Sequence, residues 1–522
     1  MSPERLAAGI VAHGLLALAL AAPASAEFTV RPVAEYGDPA PGTGDSFIVF
    51  GAPAINDAGR VAFEGAILNS WRIWRETAAG LEQVAASDDV PAGSPGGAAI
   101  LYFSEILFSN AGHVVVRAEL DSGDEGYFSA SPGGMATIAV EGQPAPGTTE
   151  TFHRIDTSLR ISDAGDIAFY GTLDTFYDPT GIWMGQAGTL SLLVRQGDPA
   201  PGGGGDAFFI LSDFPRISEA GDVGFASLLF GLSARAGLWK GSPGSLADLL
   251  VAPMSDYRHA FLSDDEEWVF VDQSPSTTPR ILAGVPGDFR TVYTVGDQAP
   301  GLPPGVGIVI SPYRPDLQMN GSRQVALRAA TAETTPREGL WSEGSGTLTL
   351  LALAGEVAPG TGGLIYEEIE GFAINDLGQT AFWAEFQDFA GRGLFLANPG
   401  EAPELVAREG GTFEVSPGDV RVVTDVDVLL ESADYLRQRP RGGFNDAGEL
   451  AVGLRFGFGS AGVYVVTVPE PDPTPQVLVA LLAVGGLVRA RRPRLGVRPS
   501  VVAGVRNLPV AAARLPRVPL AA

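Results

Sequence analysis

Two short acidic loops, Asp121-Ser122-Gly123-Asp124-Glu125 and Ser263-Asp264-Asp265-Glu266-Glu267, gather several hard oxygen donors within five residues of one another. The ion that suits such donors is Ca2+, which takes about six to eight oxygens, so Asp121, Asp124, Asp264 and Asp265 are the metal candidates. Neither loop follows the D-x-D-x-D-G spacing with a Glu at the twelfth position, and solvated acidic turns are the plainer reading. Carboxylates are abundant enough, at 61 Asp and Glu, to supply a glycosidase pair. Such a pair must converge in space, and nothing in the sequence selects one. His113, His153 and His259 are scattered and lack any H-E-x-x-H or metal-ligand spacing. The chain has no cysteine, which excludes thiolate zinc sites, iron–sulfur clusters and cysteine nucleophiles. There is no G-x-S-x-G elbow, no G-x-x-x-x-G-K phosphate loop and no G-x-G-x-x-G that opens a helix. No catalytic residue is assigned. Trp74, Trp183, Trp239 and Trp341 recur at one place in a G-h-W strand; they suit a sugar-stacking ladder or, more simply, packing between repeated units.

The elements that would position these groups are repeats. INDAGRVAF at 55–63 and INDLGQTAF at 374–382 are two copies of an Asn-Asp-x-Gly turn followed by an apolar strand. Aligning the turn glycine gives Gly59, Gly112, Gly165, Gly221, Gly378 and Gly448, with Glu266 and Arg323 standing in its place in two further copies. The spacings are 53, 53, 56, 45, 57, 55 and 70, the last holding an insertion around Val420 to Arg441 that includes a candidate short helix. Asn56, Asn110, Asn375 and Asn445 are read as side-chain caps of the turn and the glycines as its positive-φ residue. Ser162 and Ser218 offer the same bond more weakly, and loss of glycine at Glu266 and Arg323 implies another turn type or a bulge.

Each unit adds a short strand such as GLWKG (237–241), a Leu/Val-rich strand ending in a Gly-Pro loop such as LSLLVRQGDPAPG (190–202), and a fourth apolar segment. Four short strands in about fifty residues is the period of a β-propeller blade, which cannot bury its apolar faces alone. The expected fold is therefore all-β, a propeller of eight four-stranded blades, with seven blades or a β-solenoid as alternatives. Phase supports closure. The repeat region opens at FTVRPVAEYGDPAPG, in the Leu/Val strand, and ends at GVYVVTV, the strand that precedes it. Runs such as Val61-Ala62-Phe63 are apolar at successive positions, so both strand faces are expected to be buried.

The ends carry addresses. Arg5, the apolar stretch Leu6 to Ala22 and Ala24-Ser25-Ala26 read as a signal peptide over 1–26, cleaved before Glu27. The repeat domain then covers 27–468, a Pro-rich linker 469–476, and an apolar run Val477 to Val488 leads into Arg489, Arg491, Arg492 and Arg494. Twelve apolar residues fall short of the roughly 20 that span a bilayer. Residues 495–522 form a basic tail, expected to be disordered. The formal charge is −27, and the eight arginines after 488 make the rest of the chain more acidic still, which repels nucleic acid.

Pro469-Glu470-Pro471, then a short Leu/Ala/Gly/Val helix, then an Arg cluster, resembles the PEP-CTERM sorting signal of Gram-negative bacteria. That resemblance implies export through the Sec translocon, transient membrane anchoring, recognition by an exosortase-type enzyme and a link to exopolysaccharide. The tail of 28 residues after the Arg cluster departs from the family pattern. The repeat itself resembles a bacterial family named for its tandem NxxGxxAF motif, matched literally at Asn56, Gly59, Ala62 and Phe63 and at Asn375, Gly378, Ala381 and Phe382. It implies a choice of C-terminal anchors and carries no activity. The functional expectation is an exported, surface-sorted, non-enzymatic protein that binds or organises extracellular polysaccharide, without a cofactor unless Ca2+ is bound. An extracellular polysaccharide-acting enzyme and a calcium-dependent adhesin are the alternatives.

Overall fold

The structure is a computed structural model that describes residues 28–156, 160–175, 179–211, 215–231, 235–253, 260–273, 278–309, 316–430 and 442–468. Eight antiparallel sheets follow one another along the chain, each built from one repeat, and together they form an eight-bladed β-propeller. Blade 1 is typical: an inner strand in two pieces, Val49–Phe50 and Ala54–Ile55, then Val61–Ile67, Ser70–Thr77 and the outer strand Gly80–Ala86. The Asn-Asp-x-Gly turn links the inner strand to the second. Among the described residues the only helical elements are short 3-10 turns, and no helix is long and apolar enough to cross a membrane.

The ring closes where phase demands. Thr29–Glu35, the first strand, pairs with Ala461–Thr467, the last, from Thr29 opposite Thr467 to Glu35 opposite Gly462. Blade 8 thus takes its outer strand from the N-terminal side of the chain and its second and third strands, Glu449–Phe456 and Ala461–Thr467, from the other. Backbone pairing across this seam ties the two ends of the domain together without a disulfide.

Alternation along each strand sends successive side chains to opposite interfaces. Val61 and Phe63 pack against Ala451, Val463 and Val465 of blade 8, while Ala62 packs against Val116 and Phe128 of blade 2, and all are buried. The motif's Ala-Phe pair therefore serves two interblade cores at once. The recurrent tryptophans are fully buried, which removes the sugar-ladder reading. Three stack on the motif aromatic of their own blade, Phe63–Trp74, Phe169–Trp183 and Phe225–Trp239 at 5.9–6.2 Å between centroids, while Trp341 lies opposite Leu327 at that position. All four donate the indole N–H to a proline carbonyl in the preceding Gly-Pro loop: Trp74 to Pro41, Trp183 to Pro146, Trp239 to Pro201 and Trp341 to Pro300, at 3.0–3.2 Å. One side chain thus fills the core and holds the loop that joins two blades.

Three expectations are corrected. Glu266 and Arg323 keep the same turn as the glycines they replace, at φ +62° and +64°, and their N–H groups bond the carbonyls of Ser263 and Asn320 at 3.1 Å as Gly59 bonds Asn56. Ion pairs of Glu266 with Lys240 and of Arg323 with Glu267 hold these left-handed residues in place. Asn110 is not the counterpart of Asn56; counting back from Gly112, Ser109 occupies that position and Asn110 stands where Asp57 does. Part of the long last repeat is strand: Asp419–Asp427 is the inner strand of blade 8, and its first half forms a hairpin with an extra strand, Thr412–Ser416. The remainder, 431–441, lies outside the described residues. So do the signal segment 1–26 and the sorting residues Pro469, Glu470, Pro471, Arg489, Arg491 and Arg492; by contacts the chain divides after Pro469.

Candidate functional site

The eight turns meet around one mouth of the central channel, and their first two residues have separate tasks. First-position residues are Asn56, Ser109, Ser162, Ser218, Ser263, Asn320, Asn375 and Asn445, all buried. In every copy the side-chain oxygen accepts the N–H four residues on, for example from Arg60 to Asn56 at 3.0 Å and from Asp222 to Ser218 at 3.2 Å. Asn does more than Ser because it carries a second polar group. Asn320 Nδ2 donates to the Asn375 carbonyl at 2.6 Å, Asn375 to Asn445 at 3.2 Å, Asn445 to Asn56 at 2.9 Å and Asn56 to Ser109 at 3.2 Å. These bonds run unbroken from blade 6 through 7, 8 and 1 to blade 2. They straddle the seam between the chain ends.

Second-position residues are Asp57, Asn110, Asp163, Glu219, Asp264, Gly321, Asp376 and Asp446, so six of the eight are carboxylates. Along the same arc each takes a backbone N–H from the neighbouring turn: Gly321 donates to Asp376 Oδ1 at 2.6 Å, Asp376 to Asp446 at 2.9 Å, Asp446 to Asp57 at 3.0 Å and Asp57 to Asn110 Oδ1 at 2.9 Å. Gly321 lacks the left-handed φ of the turn glycines, and what favours glycine there is space. A Cβ there would sit 2.4 Å from Asp265 Oδ2 and 2.8 Å from Asp376 Oδ2.

Asp163, Glu219 and Asp264 of the other arc line a cavity of about 90 Å³ in the mouth, together with Arg160 and with Asp57, Asn110 and Asp446 of the first. Asn110 bridges the two arcs, donating from Nδ2 to Asp57 at 2.7 Å and to Glu219 Oε1 at 2.6 Å. Arg160 pairs with Asp264 and lies over the Phe261 ring at 5.1 Å, with Arg216 over the same ring at 4.5 Å. Partial burial, then the charges of Asp264, Asp57, Asp163 and Asp446, push Glu219 up to about 7. Because Glu219 keeps contact with solvent, salt screens the charge part of that shift. Chemically the mouth is a ring of hydrogen-bond acceptors with one carboxyl poised to titrate near neutrality.

Of the metal candidates, Asp121 and Asp124 lie in a solvated hairpin turn away from the mouth; Asp121 accepts the Ala99 N–H at 3.2 Å and Asp124 the Ser122 hydroxyl at 2.8 Å. Asp264 and Asp265 belong to the ring of turns. Among the described residues no group of three or more His, Asp or Glu is arranged to hold a metal ion. His113 packs beside Gly165 of the next turn and His153 is exposed on the inner strand of blade 3. Arg160, Arg216 and Glu219 escaped the sequence reading. All three were findable: Glu219 occupies the Asp57 position of its repeat, and Arg160 and Arg216 each stand two residues before the first turn residue in the matching segments RISDAGD (160–166) and RISEAGD (216–222).

Residues 24–251 and 72–475 match a family model described as a family of unknown function (DUF7453). No curated protein matches the chain. Among solved structures, the β-propeller domain of the Trilobed protease from Pyrococcus furiosus aligns at 10% identity with a TM-score of 0.38, over 69% of this chain and 98% of that one. Prolyl oligopeptidase B from Galerina marginata aligns at 10% identity and 0.40, over 72% of this chain and 55% of that one, so the chain spans about half of that enzyme's length. The Dos1 propeller aligns at 12% identity and 0.36, over 85% and 96%.

Proposed function

We propose, for a chain that belongs to this family of unknown function (DUF7453), an exported, surface-sorted, non-enzymatic propeller that binds or organises extracellular polysaccharide through its acidic channel mouth. The observation that supports this reading is the division of labour among the turns. First-position side chains are consumed in capping and closing the ring, while Asp163, Glu219 and Asp264 converge on an open cavity. Carboxylates there accept hydrogen bonds from sugar hydroxyls, pair with amino sugars, or share a bridging Ca2+ with an acidic polymer. The signal at 1–26 and the Pro-Glu-Pro segment at 469–471 support delivery to the cell surface.

The test is retention of the full chain on neutral, acidic and amino polysaccharides, with Ca2+ or chelator, against a double variant Asp163→Asn, Glu219→Gln. Loss of retention in a variant that still melts like the parent supports the mouth as the contact. Equal retention by both proteins, or none by either, sinks the binding reading. Replacing Pro469, Glu470 and Pro471 by Ala tests sorting separately: the mass of the surface form should then remain that of the unprocessed chain.

A second reading rests on Glu219. A carboxyl raised to about 7, with Asp163 and Asp264 on the same cavity, has the property that the acid of a glycosidase pair needs. It requires bond cleavage in the retained polysaccharide that disappears in Glu219→Gln.

A further inference from the structure

The dipeptide Asn-Gly occurs once in the chain, at Asn320-Gly321, in the turn of blade 6. The other asparagines of the ladder, Asn56, Asn375 and Asn445, are followed by Asp57, Asp376 and Asp446. The difference is chemical. A peptide nitrogen that follows asparagine can attack the side-chain carbonyl carbon, and glycine, having no Cβ, hinders that approach least. In such a reaction the Gly321 nitrogen loses its proton and bonds to Asn320 Cγ, the Cγ–Nδ2 bond breaks, and Nδ2 leaves as ammonia with that proton. Water then opens the cyclic imide at either carbonyl. Water is consumed, ammonia is released, and Asn320 becomes aspartate or a backbone-shifted isoaspartate.

The closed ring opposes each of these steps. The Gly321 N–H is held by Asp376 Oδ1 at 2.6 Å, and the charge of that carboxylate disfavours loss of the proton. Asn320 Oδ1 accepts the Gln324 N–H at 2.8 Å, while Nδ2 donates to Gln324 Oε1 at 2.8 Å and to the Asn375 carbonyl at 2.6 Å, which pins the amide. At 3% exposure the side chain is shielded from bulk water. The bonds to Asp376 and Asn375 come from blade 7, so they last only while blades 6 and 7 stay joined.

We propose that Asn320 is a self-modifying site: it converts to aspartate or isoaspartate when the blade 6–7 junction opens, and the conversion keeps that junction from closing as before. Aspartate has no Nδ2 to donate, and it sets a second carboxylate oxygen against the Asn375 carbonyl in a buried place where an unpaired charge is costly. Isoaspartate also lengthens the backbone of a turn that is closed by the Arg323 N–H on the Asn320 carbonyl at 3.1 Å. Either product cuts the ladder back to blade 7. An opening that was reversible thus leaves a permanent mark on the arc that straddles the seam.

Peptide mass mapping of the full chain during incubation at mildly alkaline pH follows the replacement of NH2 by OH at Asn320. Asn69-Ser70, exposed on the blade 1 hairpin and outside the ladder, is the internal reference. In the folded parent Asn320 should convert at least about 10-fold more slowly than in the same chain unfolded in urea. Asp376→Ala frees the Gly321 N–H and should speed conversion on the order of 10- to 100-fold, with the rate at Asn69 unchanged. If that variant does not fold, the parent held in urea below its midpoint decides, since conversion should rise in step with exchange of the Gly321 amide. Asn320→Asp keeps an oxygen for the Gln324 N–H and stands for the product; its Gly321 amide should exchange about 10-fold faster than the parent's. Conversion in the folded parent as fast as in the unfolded chain, a rate in Asp376→Ala or in mild urea equal to the parent's, or a Gly321 amide in Asn320→Asp protected like the parent's would each overturn the proposal.

Discussion

Replacing Asn375 by Ser removes one bond and keeps another, which isolates what the ring of asparagines contributes. The serine hydroxyl can still accept the Gln379 N–H, as the serines of blades 2 to 5 accept theirs. Lost are the donation to the Asn445 carbonyl at 3.2 Å and the contact with Gln379 Oε1 at 2.9 Å, both at a residue with 0% exposure. A buried hydrogen bond contributes about 1 kcal/mol, and leaving its acceptor unpaired costs about 1–3 kcal/mol, so the expected loss is ~2 kcal/mol. Heat is a poor assay for it. At about 2.1 cal/mol/K per residue over some 440 residues, ~2 kcal/mol moves Tm by only ~2 °C. Amide exchange is better, because the Asp376 N–H is bonded to Asp446 Oδ1 beside the lost contact. If opening of the blade 7–8 junction is eased by ~2 kcal/mol, that amide should exchange about 30-fold faster, at tenfold per ~1.4 kcal/mol. Asn375→Ala, which also loses the cap, should cost ~1 kcal/mol more. Unchanged exchange in Asn375→Ser would refute the interblade role, and equal losses in the Ser and Ala variants would assign no separate value to the cap.

Three further outcomes follow from the same geometry. Gly221→Ala meets nothing within 4 Å and should cost only the left-handed penalty of about 1–2 kcal/mol, whereas Gly378→Ala places its Cβ 2.7 Å from the Gly344 carbonyl and should shift the urea midpoint clearly further. Trp239→Phe keeps the aromatic stack but loses the bond to Pro201, for about 1 kcal/mol; Trp239→Ala should cost about 3–5 kcal/mol, and polysaccharide retention by the folded Phe variant should be unchanged. Burial pushes Glu105 up to about 8, with Arg117 and the Tyr127 hydroxyl opposing the shift. A carboxyl whose folded pKa lies above its unfolded value favours the fold while protonated, so this contribution is present below about pH 4.5 and fades as pH rises to about 8. Glu105→Gln should flatten that part of the urea midpoint against pH, and an unaltered profile would reject the assignment.

Sequence alone determined the all-β class, the eight repeats, the four-strand unit and the phase of closure, because each is written in local periodicity and turn chemistry. The apolar runs Val61-Ala62-Phe63 and Ile167-Ala168-Phe169 need only strand alternation to imply two buried faces. The indole partners were illegible, since each bond joins a tryptophan to a proline carbonyl 33 to 41 residues away. The candidate site was less legible still. Asn445 and Asn56 are separated by 389 residues and meet only because the ring closes, and the shift at Glu219 comes from burial in the assembled mouth and then from four carboxylates brought from four other blades. A repeat motif encodes how one unit turns; how eight turns bond, repel and leave a cavity depends on distances between units, which only the closed tertiary structure decides.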